Sequence, residues 1–241
     1  AFFTRASSHL APLRDSFQAV FQTSDEEERQ TMLADMYVRI HSFTPADNIA
    51  AHPAIQMSAA LQGMLRKLLQ NPANATTSTL VTLAAGVDLL GDLCVSGLRS
   101  DLITNPPIRI LVVDDDPAAR RTVVGALQLA FQKPESAESG SGALQLAGER
   151  GFDVIFLDVQ MPGTDGFTVC SKIRETARNR TTPVVFMTNQ DDADSRTRMS
   201  RSGGKDFVVR PFLTSEITVK ALTFALRGRL QKAEAVEMVR A

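Results

Sequence analysis

Hydrophobic and polar residues follow two different patterns along this chain of 241 residues. In the first hundred residues, apolar side chains recur every three or four positions, the spacing of one face of an α-helix. From residue 108 onward, short continuous apolar runs alternate with such helical stretches. A continuous run of four to six apolar residues is typical of a strand buried on both faces of a parallel sheet. The pattern therefore predicts an all-helical part followed by an α/β part.

Four apolar stripes predict four helices in the N-terminal part, and together they suggest a four-helix bundle over residues 1–99. The second helix should open with a capping box at Ser24-Asp-Glu-Glu27, and the third should open at Pro53. A polar loop from Asn71 to Ser78 separates the last two helices. The stripes are Leu10, Leu13, Phe17, Val20 and Phe21; Leu33, Met36, Tyr37 and Ile40; Met57, Leu61, Met64, Leu65 and Leu68; and Leu80, Leu83, Val87, Leu90, Cys94 and Leu98.

His41 lies about 80° from the centre of the second stripe, where one ring nitrogen could reach solvent. Its segment, Ile40 to Pro45 with helices on both sides, resembles a histidine-phosphotransfer domain, a family whose four-helix bundle carries a phosphohistidine. His41 and Phe43 match that family's motif, whereas Thr44 and Pro45 replace its Lys and Gly. Pro45 should also end or kink the helix, because its ring clashes with the carbonyl of His41. His41 is therefore a candidate phosphohistidine, and we expect a degenerate bundle that serves interaction or dimerisation.

A linker at residues 100–107, ending Thr-Asn-Pro-Pro, separates the two parts. Strands alternating with helices then imply right-handed crossovers, and hence a five-stranded doubly wound parallel sheet of the flavodoxin-like kind over residues 108–228. The last helix begins near Thr214 and keeps its apolar pattern beyond residue 228, so residues 229–241 are expected to form a helical extension. The five strands are expected at Ile108–Val113, Pro134–Glu138, Phe152–Asp158, Pro183–Thr188 and Asp206–Val209.

Polar side chains follow four of these strands, at the point where each strand ends. Asp114 and Asp115 end the first strand, Asp158 the third and Thr188 the fourth, while Arg210 follows the fifth. Because the carboxyl ends of parallel strands meet at one edge of a sheet, we expect these groups to lie together. Clustered carboxylates repel one another unless a cation offsets them, and such oxygen ligands suit Mg²⁺. A carboxylate, a hydroxyl and a cation together make a site for phosphoryl transfer to Asp158.

Three motifs in this part, Leu111–Pro117, Asp153–Gly166 and Gly203–Phe212, have the order and spacing of the receiver domain of two-component response regulators, which the part closely resembles. The resemblance implies that Asp158 is the phosphoacceptor. It also implies that Asp114, Asp115, Asp158 and the backbone carbonyl of Gln160 hold Mg²⁺. The domain would be a signalling switch that catalyses its own phosphorylation and dephosphorylation, rather than a metabolic enzyme.

The same resemblance assigns the switch residues and the partners. Thr188 would bond the phosphoryl group and move inward, and Phe207 would be the aromatic switch residue. Arg210 stands where the family usually has Lys. It keeps the positive charge, but its side chain is planar and differently hydrated. Lys205 belongs to the preceding loop.

The phosphoryl donor would be a histidine kinase or a histidine-phosphotransfer protein. A homodimer could form through the last receiver helices or through the bundle.

Two alternatives remain beside the receiver. A pseudo-receiver that never carries phosphate is supported only by Arg210. A haloacid-dehalogenase-type phosphatase is suggested by Asp114-x-Asp116 after a strand, but Ala118 stands where that family needs Thr, and the run from Asp158 to Gly166 stays unexplained.

Charge and composition indicate which partners and which cellular compartment to expect. The net charge of −1 does not require a large basic surface, so nucleic acid is not expected as a direct partner. Cys94 and Cys170 are expected as small buried hydrophobes in a reducing compartment. His9 and His52 are expected in loops or at the surface. No signal peptide or 18-residue apolar run stands out, so we expect a soluble, cytoplasmic chain without a membrane partner.

Overall fold

The computed structural model describes residues 13, 16–17, 19–41, 52–95, 102, 105–189 and 192–240. Contacts within the chain group it into two compact units, one comprising Ala1–Pro106 with Thr218–Ala241 and the other Pro107–Ile217. Leu10, Leu98, His9 and the segment from Phe43 to Pro45, which carry several of the predictions above, lie outside the described residues.

Among the described residues of the first unit, the regular secondary structure is helical, with no strand. The helix predicted from Leu10 to Phe21 is described only in part, with helical backbone at residues 19–22. A short 3₁₀ turn, Pro72–Asn74, lies in the predicted polar loop. The complete helices are α1 (Glu26–His41), α2 (Pro53–Gln70) and α3 (Thr77–Val95). Most residues of their predicted stripes are buried, whereas Tyr37 of α1 is partly buried. The buried residues include Leu33, Met36 and Ile40 of α1 and Met57, Leu61, Met64, Leu65 and Leu68 of α2. Helices are therefore present where the sequence predicts them.

The side chains that cap α1 and α2 were not predicted, although α2 begins at Pro53 as predicted. The side chain of Asp25, rather than that of Ser24, caps α1, because its Oδ1 accepts the backbone N–H groups of Glu27 at 2.9 Å and Glu28 at 3.5 Å. His52 was expected in a loop or at the surface; it precedes α2 outside the helix, but it is not at the surface, because it is only 2% exposed. Its Nδ1 accepts the backbone N–H of Ala54 at 3.2 Å. Burial lowers the pKa of His52, which favours the neutral ring that can act as this acceptor.

No 18-residue apolar run was expected from the sequence, but helix α3 has the length and composition of a possible membrane span over Thr77–Cys94. Asp88 and Asp92 interrupt this stretch, and 61% of it is buried inside the structure. A mostly buried core helix of a soluble protein can have the same length and hydrophobicity, so this one helix is weak evidence for a membrane span. Cys94 is buried in it, as predicted.

The last helix, α8 (Thr214–Arg240), continues without a break through the predicted extension. From residue 218 onward it groups with the first unit. Arg227 Nη2 donates to the carbonyl of Ala85 at 3.0 Å, and Arg229 Nη1 donates to the carbonyl of Leu102 at 2.6 Å. These two hydrogen bonds hold the C-terminal part of α8 to backbone carbonyls of Ala85 and Leu102, which belong to the same unit.

The second unit is a five-stranded parallel sheet in the order β2-β1-β3-β4-β5, flanked by helices, which is the flavodoxin-like arrangement. Every residue of β1, β3 and β4 is buried, which is why these segments read as continuous apolar runs. The predicted parallel sheet is therefore confirmed. Its strands are β1 (Ile110–Val113), β2 (Glu135–Ala137), β3 (Val154–Asp158), β4 (Val184–Thr188) and β5 (Asp206–Val209). The connecting helices are α4 (Pro117–Gln128), α5 (Gly140–Glu149), α6 (Gly166–Glu175) and α7 (Ala193–Ser202).

A polar network braces the loop between α6 and β4. Arg174 donates to three backbone carbonyls, those of Asn179 at 3.1 Å, Thr182 at 2.6 Å and Gly203 at 2.7 Å. Asn179 is fully buried, and its Nδ2 donates to the carbonyl of Ala147 at 2.7 Å. Because a buried carbonyl without a donor is costly, these two side chains stabilise a loop that carries few apolar residues.

Candidate functional site

The carboxyl ends of β1 and β3 bring three carboxylates together. The parallel register sets Val113 beside Leu157, so the residues that follow β1 lie next to Asp158. One oxygen of each of Asp114, Asp115 and Asp158 lies within 4.8 Å of the others. Asp114 is fully buried and Asp158 is 3% exposed, whereas Asp115 is exposed. Three of the predicted site residues therefore form one acidic cluster.

Asp114 is held through both carboxylate oxygens and through its backbone. Its Oδ1 accepts the backbone N–H of Asp116 at 3.0 Å, and its Oδ2 accepts Nη2 of Arg210. Arg120 Nη1 donates to the backbone carbonyl of Asp114 at 2.6 Å. The side chain of Asp116 caps α4 by accepting the N–H of Ala118 at 2.9 Å, so Asp116 starts a helix.

The backbone of Asp158 is in close contact with the start of α6. A Cβ added at Gly166 would lie 2.2 Å from the carbonyl oxygen of Asp158, closer than any side chain tolerates. Gly166 N–H donates to the carbonyl of Val159 at 3.0 Å. Asp165 caps α6 by accepting the N–H of Thr168 at 2.8 Å. The Asp-Gly pair therefore lets the helix begin directly against the strand end that carries Asp158.

Burial makes the charged forms of the two inner carboxyls costly. It raises the pKa of Asp158 to about 6, helped by Asp114 and Asp115 and opposed by the guanidinium of Arg210. Burial also raises the pKa of Asp114, again opposed mainly by Arg210. A nearby cation lowers the cost of ionising both groups, so a cation beside the cluster favours the charged carboxylates.

Arg210 reaches into the cluster from the end of β5. Its Nη1 lies 3.5 Å from Oδ1 of Asp158, while Nη2 bonds Asp114. Its backbone N–H donates to the carbonyl of Thr188 at 2.8 Å, which sets the start of the β5–α8 loop against the end of β4. Lys205 is exposed and lies directly before β5, in the preceding loop, as predicted, so it is at the opposite end of the strand from Arg210. Among the described residues, Arg210 is thus the cation that contacts both inner carboxylates.

Thr188 and Phe207, the two predicted switch residues, line one small pocket. Thr188 is buried at the end of β4, and Phe207 is partly buried on β5. The guanidinium of Arg196 lies 5.3 Å from the centre of the Phe207 ring. The pocket is completed by Val159, Phe167, Phe186, Ser195 and Met199.

The cluster fits a small divalent cation. All three groups are carboxylates, whose hard oxygen atoms suit Mg²⁺, and two of them are buried. Their oxygens lie within 4.8 Å of one another, which is close to the largest separation of two ligands that are each about 2.1 Å from one Mg²⁺. Gln160, whose backbone carbonyl was predicted as a ligand, lies in the loop after β3. Its side-chain Oε1 accepts Nδ2 of Asn189 at 3.2 Å, so the side chain has another partner.

His41 lies at the C-terminal end of α1 in the first unit. It is exposed, as predicted, and its Nδ1 lies 3.0 Å from Oε1 of Gln62. Its ring stacks on Tyr37 with the centroids 6.1 Å apart and the planes at 9°. Because an amide oxygen can only accept, Nδ1 carries the hydrogen in this pair.

The strand order and the acidic cluster define a doubly wound α/β domain with a cation-binding carboxylate site at its carboxyl edge. Residues 110–222 match the family described as the response regulator receiver domain, and they form such a domain. This confirms the predicted receiver. Domains of this family are signalling switches rather than classical enzymes, and they bind Mg²⁺ at their acidic site.

Individual relatives agree with the family match. The chain is 37% identical over 116 residues to the transcriptional regulatory protein ResD of Bacillus subtilis, covering 47% of each chain. It is 41% identical over 103 residues to the response regulator PleD of Caulobacter vibrioides, covering 43% of this chain and 23% of that protein. The chain therefore spans less than half the length of these relatives. The domain is homologous to response regulators, consistent with two-component phosphorelay signalling.

Among solved structures, one similar fold is the receiver domain of the sensor histidine kinase PA1611 of Pseudomonas aeruginosa PAO1, which has a magnesium ion coordinated in its active site cleft. The two chains are 23% identical with a TM-score of 0.46, covering 49% of this chain and 97% of the other.

Two features of the site were not anticipated from sequence. The first is the bond from Arg120 to the carbonyl of Asp114, and the second is the bond from Arg210 to Oδ2 of Asp114. Arg120 stands six residues after Asp114, so an Arg in the second turn of a helix that follows an acidic strand end is a usable sequence signal. No local pattern indicates the second bond.

Proposed function

We propose that this chain is a phosphorylation-controlled switch of a two-component phosphorelay, with Asp158 as the phosphoacceptor. The observation that carries the proposal is the placement of Asp158, buried at a strand end with two further carboxylates within 4.8 Å and the Arg210 guanidinium 3.5 Å away. A single buried aspartate would be inert. Cations beside a buried aspartate offset the cost of its charge, and the charged carboxylate is the form that can act as a nucleophile.

In the proposed transfer, a carboxylate oxygen of Asp158 attacks the phosphorus of a phosphohistidine. The O–P bond forms as the P–N bond breaks, and the bonding electron pair stays on the imidazole of the donor. Asp114, Asp115, Asp158 and the backbone carbonyl of Gln160 would hold Mg²⁺, which supplies positive charge beside the phosphoryl oxygens. Arg210 adds a second cation there. Water attack on the phosphorus later restores the carboxylate and releases inorganic phosphate.

The output of the switch is proposed to run through Thr188 and Phe207. Thr188 would donate its hydroxyl to the phosphoryl group and move inward, and Phe207 would follow into the pocket that both residues line. That motion would change the surface formed by α7 and β5. The proposed phosphoryl donor is a histidine kinase or a histidine-phosphotransfer protein. The proposed readers of the surface are a partner protein or a second copy of this chain.

For the first unit we propose a bundle that resembles a histidine-phosphotransfer domain but serves interaction or dimerisation. The hydrogen bond from His41 Nδ1 to Gln62 orients the ring, which is what a phosphohistidine would need. The replacement of the motif's Lys and Gly by Thr44 and Pro45 argues against transfer. The test is incubation of the Asp158→Asn chain with a phosphorylated receiver. We expect no acid-labile adduct, and an adduct that is lost in His41→Gln would establish transfer.

Mass spectrometry tests the main proposal. The full chain is incubated with Mg²⁺ and acetyl phosphate, and the intact mass is measured. We expect a single labile phosphoryl group in the wild type and none in Asp158→Asn. Asp116→Asn is the matched control, because Asn caps a helix as well as Asp does, and it should keep the adduct.

Other outcomes distinguish the alternatives. No adduct with any phosphoryl donor would favour a pseudo-receiver. Steady release of phosphate from phosphomonoesters that depends on Asp114 would favour a phosphatase of the haloacid-dehalogenase type. Either result would contradict the proposed switch.

A further inference from the structure

The two oxygens of Asp114 are both engaged by donors of the protein itself. Oδ1 accepts the backbone N–H of Asp116 at 3.0 Å, and Oδ2 accepts Arg210 Nη2. Asp114 is fully buried, so no water-exposed face compensates for a lost partner. A divalent cation that takes Asp114 as a ligand must therefore share or displace one of these two donors.

Of the two donors, the guanidinium is the one that opposes a cation. The backbone N–H of Asp116 is neutral and belongs to the turn that starts α4. Arg210 carries a full positive charge, and its Nη1 also lies 3.5 Å from Asp158 Oδ1. One guanidinium thus contacts the two buried carboxylates of the cluster. Its Nε is buried and has no hydrogen-bond partner among the described residues, so the two carboxylates alone hold the charged end.

We infer that Arg210 is a built-in competitor of the divalent cation and sets the cation affinity of the acidic cluster to a low value. The inference rests on the proposed function, in that the cluster is taken to bind Mg²⁺. Its structural basis is the guanidinium of Arg210 on Asp114 Oδ2 and beside Asp158 Oδ1. A planar fork with several donors can contact two carboxylates at once, which the single ammonium group of a lysine does less well.

The size of the effect follows from charge repulsion. A unit charge and a divalent ion a few Å apart repel one another even in water, and more strongly beside a buried group. Removing the guanidinium charge should therefore tighten Mg²⁺ binding by about tenfold or more. The same change should slow phosphorylation, because Arg210 would also bind the incoming phosphoryl group. Tighter cation binding together with slower phosphoryl transfer is a combination that loss of structure does not produce.

The experiment is a calorimetric titration of the full chain with MgCl₂ at pH 8. Arg210→Met removes the charge and keeps an apolar stem of similar length. Arg198→Met is the matched control, because Arg198 pairs with Asp165 at 2.6 Å outside the cluster and its removal changes the net charge equally. We expect the Mg²⁺ dissociation constant to fall about tenfold in the first variant and to change less than about twofold in the second. An equal or weaker affinity in a folded Arg210→Met chain would overturn the inference.

A second measurement uses the wild type, in case the substitution prevents folding. In a chain with ¹⁵N-labelled arginine, the Arg210 side-chain resonances should shift as MgCl₂ is added, and its Nη protons should exchange faster with water. Resonances that stay unchanged while Mg²⁺ binds would contradict competition. If the wild type bound no Mg²⁺ and took no phosphoryl group, the proposed function itself would fail. Normal binding and phosphorylation with no effect of Arg210 would refute the competition alone.

Discussion

Neutralising Asp158 should stabilise the metal-free protein while abolishing phosphorylation. Asp158→Asn keeps the shape of the side chain and removes the charge that burial makes costly. The carboxyl is 3% exposed, and its pKa is raised to about 6. An asparagine therefore resembles the protonated aspartic acid, which this buried site favours over the charged form.

The magnitude follows from the shift in pKa. Between the ordinary value of 3.8 and about 6, the difference corresponds to about 3 kcal/mol, at about 1.4 kcal/mol for each unit. The sign follows from proton binding. Because the folded pKa is the higher one, the folded state holds the proton more tightly between these two values, and stability falls as pH rises through that window. The cost is fully present above the folded pKa and disappears below the unfolded one.

The assay is urea unfolding of both chains in EDTA, followed by far-ultraviolet circular dichroism at pH 7.5 and at pH 5. We expect Asp158→Asn to be more stable by about 3 kcal/mol at pH 7.5 and by about half of that at pH 5. Groups that do not interact with Asp158 contribute equally to both chains and cancel in the difference, whereas the neighbouring Asp114, which helps to raise the pKa of Asp158, does not cancel fully.

Two results would refute this reasoning. If Asp158→Asn were no more stable than the wild type at pH 7.5, the charged carboxylate would not be costly in the folded state. If the difference were as large at pH 5 as at pH 7.5, it would come from packing rather than from ionisation.

Three further predictions follow from the geometry. Adding Mg²⁺ at about a hundred times its dissociation constant should raise the free energy of unfolding of the wild type by about 2.7 kcal/mol; EDTA should reverse the gain, and a gain that persists in Asp114→Asn would contradict the assigned ligands. Gly166→Ala should lower the free energy of unfolding by about 2 kcal/mol or more, because the added Cβ would lie 2.2 Å from the carbonyl oxygen of Asp158. Gly125 lies in helix α4, and a Cβ added there would have no other atom within 4 Å. In the same urea assay, Gly125→Ala should therefore raise the free energy of unfolding by about 0.5–1 kcal/mol. Arg174→Ala should cost about 2–3 kcal/mol by removing the donor of three backbone carbonyls, whereas exposed Arg180→Ala should change thermal or urea stability by less than about 0.5 kcal/mol.

Much of the α/β unit could be predicted from sequence because its strands are buried on both faces. Buried parallel strands are continuous apolar runs, and the acids that end them are visible at the boundary of each run. Asp114, Asp115 and Asp158 were expected together on this basis, and the structure brings them within 4.8 Å. The helix start at Asp116 likewise depends on local chemistry, since the cap and its partners lie within four residues.

The side chains that cap α1 and α2 were not predicted correctly, because the local sequence allows more than one interpretation at both helix starts. Ser24 and Asp25 are both good caps, and only the backbone path shows that Asp25 reaches the first free N–H groups. His52 is a polar residue before a proline, which suggests a loop. Tertiary packing buries it, and its ring nitrogen then serves as a cap. Neither outcome can be read from hydrophobic periodicity, because periodicity reports which face of a helix is buried and not which atom bonds its end.

By itself, the sequence determined the class of the second unit and the chemistry of its acidic edge. Apolar runs, turns and helix caps depend on neighbours a few residues away, so the order of strands and the residues at their ends are local information. Only the tertiary structure decided how those residues act on one another. Arg210 and Asp114 are 96 positions apart in the chain, and their contact exists because β5 and β1 end at the same edge of one sheet. The depth at which Asp158 is buried, and hence its raised pKa, is likewise a property of packing around the strand rather than of the strand's own residues.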